Sequence, residues 1–249
     1  MAELHAAAEL GVGTPVRLAN AYNVALASRD RDYRELLNAG GMNYPDGAPV
    51  ALTQRVTLAL ARRHWQARRV RGPSYFRQVL ASLEARPNDS SFFLGGSAES
   101  LPKLLERLHV RYPRLSVAGS YSPPFADLSA SYLDECVRRV ADSGANYVWV
   151  GLGTPKQDWV AHEIARRLPV VAIGVGAAFD FLAGSTREAP KWIQHSGLEW
   201  LHRLLSEPRR LGRRYLVGNF VYLISVVRYL PRAVAAVRMV ERTGLSRDT

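Results

Sequence analysis

The stretch YVWVGLGTPKQDWVAHEIARRLPVVAIGVGAAFDFL, residues 147 to 182, decides the fold. Its first apolar run, Tyr147 to Val150, is short, aromatic and β-branched, as expected of a strand buried on both faces of a parallel sheet. Gly151 and Gly153 end this run. A helical pattern then leads to a second apolar strand, residues 169–173, which also stops at a glycine. The stretch therefore predicts a β-α-β unit.

Polar residues follow both strands of this unit. Ligands of such sheets bind beyond the carboxyl ends of the strands, where glycine allows close backbone approach and a helix N-terminus favours anions. Lys156, Gln157, Asp158 and Asp180 fall at this edge, so the pattern predicts phosphate or sugar recognition there. A glycine pair after a strand is common, however. Asp180 between two phenylalanines fits a satisfied buried carboxylate equally well.

The rest of the chain repeats this alternation of strand and helix. Further short strands are predicted at 15–18, 91–94 and 115–118, and the second of these ends at Gly95 and Gly96. The predicted helices cover 3–10, 21–37, 50–63, 98–109 and 128–141. Short apolar strands that end in glycine and alternate with helices indicate an α/β fold with a three-layer, mostly parallel sheet.

Asp46 lies in the turn YPDG, residues 44–47. An ordinary turn aspartate is the commoner meaning of such a residue. Asp46 also follows a helix-to-strand transition and precedes a helix, an order that would place it at the same edge as Gly151. The basic run RRHWQARRVR, residues 62–71 around Trp65, is likewise open to two interpretations. It is either a solvated helix end or a phosphate contact, with Arg69 as the candidate.

Charge is concentrated near the end of the chain. The 249 residues carry a net charge of +11, and residues 187–249 hold twelve Arg or Lys against five Asp or Glu, about +7 of that total. This points to a basic appendage that faces an anionic partner. The single cysteine, Cys136, excludes an internal disulfide, and the N-terminus does not resemble a secretory signal. We therefore expect a cytoplasmic protein.

The basic appendage combines arginines with apolar segments. Arg203, Arg210 and Arg213 recur at spacings of seven and three, which would keep them on one face of a continuous helix unless Pro208 interrupts it. The run Tyr215 to Val227 has 13 uncharged residues, too few to cross a bilayer.

Residues 225–242 place four arginines, Arg228, Arg232, Arg238 and Arg242, within one arc of a helix opposite aliphatic residues. This pattern predicts an amphipathic helix on an anionic membrane surface. The alternatives are an interface with a second copy of the chain, which would make a homo-oligomer, and nucleic acid. Nucleic acid is disfavoured because stacking aromatics are few and no known nucleic-acid-binding motif occurs.

Several stretches together resemble one family. They are Asn20, PDGAPV at 45–50, RVRGP at 69–73, FFLGG at 92–96, YSPPF at 121–125, VGLGTPKQDW at 150–159, GVGAAFDFLAG at 174–184 and GLEWLHRLLSEPRRLGRRY at 197–215. In this order they are similar to the bacterial WecG/TagA/CpsF glycosyltransferases, glycosyltransferase family 26. The last three stretches together are highly specific.

The resemblance implies a Rossmann-like catalytic domain, residues 1–186, and a basic helical appendage, residues 187–249, that covers the active site and contacts the membrane. It implies inverting transfer of a sugar, N-acetylmannosamine-type or hexose, from a UDP-sugar to a polyprenyl-diphosphate-linked sugar. The products would be cell-surface polysaccharide, teichoic acid or exopolysaccharide. The enzyme would be peripheral on the inner face of the bacterial plasma membrane. No cofactor or metal is expected.

The resemblance also assigns roles to individual residues. Asp46 matches the proposed general base. The remaining candidates are substrate-binding: Asn20, Arg69, Gly95, Gly151, Gly153, Lys156, Gln157, Asp180, Arg203, Arg210 and Arg213. Three positions depart from the family pattern, namely Leu18, Asp158 and Glu188, where the family carries threonine, glutamate and arginine. A catalytically silent homologue that binds a nucleotide-sugar or lipid is the alternative function, and a nucleic-acid-binding protein is a more remote one.

Overall fold

The computed structural model describes residues 1–63 and 69–242. Trp65 lies outside the described residues, and so do the side chains of His195, Arg210, Arg213, Arg214, Val240, Glu241 and Arg242. The strands in the described chain are β1 (Thr14–Ala19), β2 (Met42–Pro45), β3 (Ser90–Gly95), β4 (Ser116–Tyr121), β5 (Tyr147–Gly151) and β6 (Val171–Gly174).

The helices in these ranges are α1 (Ala2–Glu9), α2 (Ala21–Arg29), α3 (Arg31–Asn38), α4 (Ala48–Leu60), α5 (Gly72–Leu83), α6 (Ser100–Arg111), α7 (Ala130–Ser143), α8 (Lys156–Arg167), α9 (Ala178–Ala183), α10 (Lys191–Ser196), α11 (Glu199–Ser206) and α12 (Pro208–Arg242).

The six strands form one sheet in the order β2-β1-β6-β5-β3-β4. Each pairing from β1 through β6, β5 and β3 to β4 is parallel. This confirms the predicted α/β fold, and the sheet is Rossmann-like. Strand β5 lies inside the sheet, and its residues 147–150 are completely buried, which explains why they are apolar or aromatic without alternation.

An aromatic cluster fills the space beside β5. The Trp149 ring lies 4.8 Å from that of Phe76 and stacks on Phe93 at 6.5 Å, measured between ring centroids. Its indole Nε1 donates to Ser91 Oγ at 3.2 Å, so the one polar atom of this buried ring is satisfied. Phe179 of α9 completes the cluster at 5.7 Å from Phe76 and 6.0 Å from Phe93.

One helical prediction was wrong, and the interruption considered at Pro208 is observed. Residues 21–37 form two helices because Asp30 is extended (φ −112°, ψ 115°) and its carboxylate accepts from the Tyr33 amide at 3.0 Å, which starts α3. Arg203, Arg210 and Arg213 do not share a continuous helix. Helix α11 ends at Ser206, and α12 begins at Pro208.

The chain divides into two compact units. The first contains residues 1–18, 35–44 and 71–188 and holds nearly the whole sheet. The second contains residues 19–34, 45–70 and 189–249. Within the second unit, α12 packs on α2 and α4, with Ala25, Val221 and Tyr222 buried between them. The functional division into domains 1–186 and 187–249 remains a prediction.

The length of α12 corrects one expectation. Helix α12 continues through Pro231, and its segment Tyr215–Met239 is, in the described chain, the one stretch of helix long and apolar enough to span a membrane. The uncharged run ends at Arg228, but the apolar character of the helix continues beyond this arginine. The prediction that the apolar run beginning at Tyr215 is too short to cross a bilayer was therefore wrong in its length.

Candidate active site

The first unit presents glycines where its central strands end. Gly95 lies opposite Gly151 in the β3–β5 register, and the Gly96 amide donates to Gly151 O at 3.2 Å. Gly95 has φ +123°, and a Cβ there would lie 2.5 Å from Gly151 O. A Cβ on Gly151 would lie 2.5 Å from the Phe179 ring. Larger residues do not fit, so backbone and not side chains forms this edge.

Gln157 carries the clearest mark of a polar ligand site in this unit. The side chain is 4% exposed and lies against the backbone of Gly174 and Gly176, where added Cβ atoms would come within 3.2 Å of Nε2 and 3.4 Å of Oε1. Its Oε1 has no hydrogen-bond partner among the described residues. An unsatisfied buried acceptor costs about 1–3 kcal/mol, so its presence needs an explanation such as a hydroxyl or N–H donated by a ligand.

Lys156 is already engaged by the protein. Its Nζ donates to Ala126 O and lies 3.9 Å from the centre of the Tyr132 ring. Burial lowers the pKa of Lys156. The side chain therefore braces the loop 122–129 that precedes α7, and its predicted substrate contact remains a prediction.

Asp180 lies in the short helix α9 and is partly exposed. Its backbone carbonyl accepts from the amides of Ser185 and Thr186, at 2.9 and 3.2 Å. This turn is closed by Gly184, which has φ +75° and is therefore in the left-handed region. The C-terminal end of α9 is thus held by backbone bonds.

The chain leaving this turn is fixed by an ion cluster that the sequence did not reveal. Glu188 accepts from Arg71 at 2.8 Å and from Arg77 on α5. Burial alone would raise the pKa of Glu188, but hydrogen bonds from Arg77 and Arg71 outweigh it and hold the pKa below the usual range. The Glu188 carboxylate is therefore matched by two cations of the same unit.

The second unit holds Asn20, Asp46 and Arg69 in one backbone framework. The Asp46 amide donates to Ala19 O at 2.9 Å, next to Asn20. Asp46 also forms a parallel bridge with Val70, next to Arg69. In this bridge the Val70 amide donates to Pro45 O at 2.9 Å and the Gly47 amide to Val70 O at 3.2 Å. The turn that carries Asp46 is thus held on both sides, by segments that carry the other two candidates.

Each of these neighbours has its own local contacts. Asn20 caps α2, because its Oδ1 accepts from the amides of Tyr22 and Asn23 at 2.9 and 3.4 Å. The Arg69 guanidinium donates to the Gln194 carbonyl and lies 4.0 Å from Glu199. Asn20 therefore has a structural role besides any contact with substrate, and Arg69 ties the Asp46 framework to α10 and α11.

The structure thus assembles two groups of candidates, one in each unit. The first comprises Gly95, Gly151, Gly153, Lys156, Gln157 and Asp180; the second comprises Asn20, Asp46 and Arg69. Arg203 lies on α11, partly exposed. The side chains of Arg210 and Arg213 are not among those that the structure describes. In the described residues no cluster of three or more His, Cys, Asp or Glu side chains suits a metal ion.

The parallel sheet with a glycine-lined carboxyl edge defines an α/β protein of the Rossmann-like class. The family model described as Glycosyl transferase WecG/TagA/CpsF family matches residues 1–235, and the chain belongs to this family of glycosyltransferases. Among its relatives is the N-acetylglucosaminyldiphosphoundecaprenol N-acetyl-beta-D-mannosaminyltransferase of Bacillus subtilis (strain 168). The two are 24% identical over 214 residues, which cover 86% of this chain and 79% of the relative. The resemblance seen in the sequence is therefore confirmed.

Proposed function

We propose that this glycosyltransferase moves a sugar, N-acetylmannosamine-type or hexose, from a UDP-sugar to a polyprenyl-diphosphate-linked sugar, with inversion at the anomeric carbon. The product would enter a bacterial cell-surface polysaccharide, teichoic acid or exopolysaccharide. The observation that carries the proposal is the Asp46 turn, held between the segments that bear Asn20 and Arg69. The Bacillus relative, named as a transferase acting on a lipid-diphosphate-linked sugar, supports this choice of acceptor.

The proposed chemistry needs one base and several donors. Asp46 takes the proton of the acceptor hydroxyl, and the hydroxyl oxygen forms the new bond to the anomeric carbon. The bond from that carbon to the diphosphate oxygen breaks, and UDP leaves with the electron pair. Attack from the opposite face inverts the configuration. Arginine is suited to the departing diphosphate, because its planar guanidinium forms paired hydrogen bonds with phosphate oxygens; Arg203, Arg210 and Arg213 are the candidates.

Nucleotide recognition is assigned to the glycine-lined edge of the first unit. There Gln157 Oε1 is an acceptor that suits a ribose hydroxyl or a base N–H. Close approach of a sugar or diphosphate to the backbone is sterically allowed at Gly95 and Gly151, which carry no Cβ. The donor sugar itself is not chosen by these contacts, so several UDP-sugars have to be compared.

A lipid-linked acceptor stays in the bilayer, so the enzyme must meet it there. Helix α12 buries one face, with Val221 and Tyr222, and exposes the other, where Phe220 is 65% and Val227 77% exposed. Other large apolar residues exposed on this face are Leu216, Val217, Leu223 and Ile224. A contiguous apolar face of this kind is typical of a lipid or protein contact.

We assign the exposed face of α12 to the membrane. Packing of its other face on α2 and α4 supports a helix that lies on the bilayer surface over one that leaves the protein to cross it. Arg228 and Arg232 are exposed and available for anionic lipids, whereas Arg238 donates to Leu60 O at 2.7 Å and stabilises the packing on α4. Arg242 lies outside the described side chains.

Acceptor-dependent release of UDP tests the proposal. UDP-N-acetylmannosamine, its uronic acid, UDP-glucose and UDP-galactose are each mixed with the enzyme and a short-chain polyprenyl diphosphate that carries N-acetylglucosamine. We expect one donor to release UDP only when this acceptor is present, with a product of inverted anomeric configuration. Tight donor binding without transfer would instead identify a silent homologue.

A further inference from the structure

Tyr222 of α12 makes a polar contact that packing alone does not require. The side chain is 5% exposed, and its Oη lies 2.9 Å from Pro49 O and 2.6 Å from Thr53 Oγ1. Tyrosine has one proton to donate, and a carbonyl can only accept. The Tyr222 hydroxyl therefore donates to Pro49 O and accepts from the Thr53 hydroxyl. Both partners belong to the first turns of α4.

The start of α4 is packed, with Ala51 buried and Val50 against the cluster of Ala25, Val221 and Tyr222, but it lacks a side-chain cap. Helix α4 begins at Ala48, immediately after Asp46 and Gly47, and Gly47 provides no side-chain cap. Gly47 has φ +84°, and the bond from the Ala51 amide to Gly47 O is long, at 3.4 Å. The Tyr222 hydroxyl thus ties down the turn of helix that follows the Asp46 segment.

We propose that Tyr222 is a positioning residue for Asp46, acting through Pro49 and Thr53; this rests on the proposed role of Asp46 as base. The hydroxyl links α12, whose other face is exposed and apolar, to the turn that carries the base. Removing it leaves intact the backbone bonds that join the Asp46 turn to Ala19 and Val70, but lets the start of α4 shift. A displacement of about 1 Å in a catalytic group costs up to roughly a hundredfold in rate.

The ring and the hydroxyl of Tyr222 have separable roles. The ring packs with Ala25 and Val221, so Tyr222→Phe keeps the buried contacts and removes only the two hydrogen bonds. Ser225→Ala is the matched control. Ser225 is buried one turn further along α12, and its hydroxyl bonds only within the helix, to Val221 O at 2.7 Å. Both variants lose one buried hydroxyl, but only the first loses a contact with α4.

The test compares kcat, KM and the pH dependence of kcat/KM in the full-length enzyme. For Tyr222→Phe we expect kcat to fall about tenfold and the KM for donor to change less than about threefold. We also expect the acid limb of the pH profile of kcat/KM to shift, because the environment of the base changes. Thr53→Val should give a similar loss, whereas Thr53→Ser keeps the hydroxyl and should therefore keep wild-type activity. The double variant Tyr222→Phe/Thr53→Val should be no slower than Tyr222→Phe, because both changes break one network. Ser225→Ala should match wild type.

Three results would overturn the inference. They are a wild-type kcat and pH profile in Tyr222→Phe, a loss equal to that of Ser225→Ala, and additive losses in the double variant. Asp46→Asn, measured alongside, separates this inference from the function on which it rests. If Asp46→Asn is inactive while Tyr222→Phe is fully active, only the positioning role fails. If Asp46→Asn retains wild-type turnover, the base assignment fails, and the role of Tyr222 with it.

Discussion

Replacing Glu188 by glutamine should destabilise the protein in a manner that depends on pH. The substitution keeps the shape of the side chain and removes the charge that lies between Arg71 and Arg77. The side chains of Glu188, Arg71 and Arg77 are 21%, 9% and 25% exposed, between a surface pair and a buried one. Exposed pairs contribute up to about 1 kcal/mol, and breaking a buried pair costs about 3–5 kcal/mol. We therefore expect a loss of about 1–3 kcal/mol at pH 7.

The sign of the pH dependence follows from the lowered pKa of Glu188. A carboxylate whose pKa is lower in the folded state contributes stability above its unfolded pKa, about 4.3, and loses that contribution as pH falls through the folded value. The difference between wild type and Glu188→Gln should thus be full at pH 7 and shrink below about pH 4.

Thermal unfolding at pH 7 and at lower pH measures this difference. At about 2–4 °C per kcal/mol for a chain of this size, Glu188→Gln should lower Tm by about 2–12 °C at pH 7. Glu135→Gln is the control, because Glu135 also pairs with two arginines, Arg138 and Arg139, but on an exposed helix face. It should shift Tm much less. Equal shifts for the two variants, or a Glu188→Gln shift that does not shrink in acid, would refute the reasoning.

Three further predictions address the site and its surroundings. Gly151→Ala should lower both Tm and turnover, because the added Cβ would lie 2.5 Å from the Phe179 ring; unchanged values would show that the edge tolerates side chains. Replacing Phe220, Leu223 and Val227 together by serine should weaken binding to anionic liposomes, in a sedimentation assay, without lowering Tm. Retained liposome binding would contradict the membrane assignment. Loss of a dimer in the variant would instead assign this face to a second copy of the chain. Turnover should persist in EDTA, because arginines supply the positive charge in the proposed reaction; loss that Mg²⁺ restores would contradict this.

Much of the fold can be predicted from local sequence. Short apolar runs that end in glycine, such as Tyr147 to Gly151, have few interpretations other than buried parallel strands. Helix α5 (Gly72–Leu83) was nevertheless missed, although its proline in the first turn and its buried residues Tyr75, Phe76, Val79, Leu80 and Leu83 form a readable pattern. The arginines that precede it directed the interpretation toward phosphate.

Contacts between distant residues had no local signal. Glu188 lies 117 residues from Arg71 in the chain and Tyr222 lies 169 from Thr53, so spacing could not pair them. The unsatisfied oxygen of Gln157 was equally invisible, since only packing against Gly174 and Gly176 reveals its burial. The division of residues 21–37 at Asp30 did have a signal, because an aspartate before a helical turn is a common N-cap.

The most direct test of the central claim is the turnover of Asp46→Asn, measured as acceptor-dependent UDP release, beside Asp32→Asn, an exposed aspartate of the same unit. Asparagine preserves the turn but cannot take the proton, so Asp46→Asn should be slower by about 10² to 10⁴, with donor binding and Tm unchanged. Asp32→Asn should match wild type. If Asp46→Asn retains more than about a third of wild-type turnover, which is far above the range expected on losing a general base, Asp46 is an ordinary turn residue and the proposed mechanism is wrong.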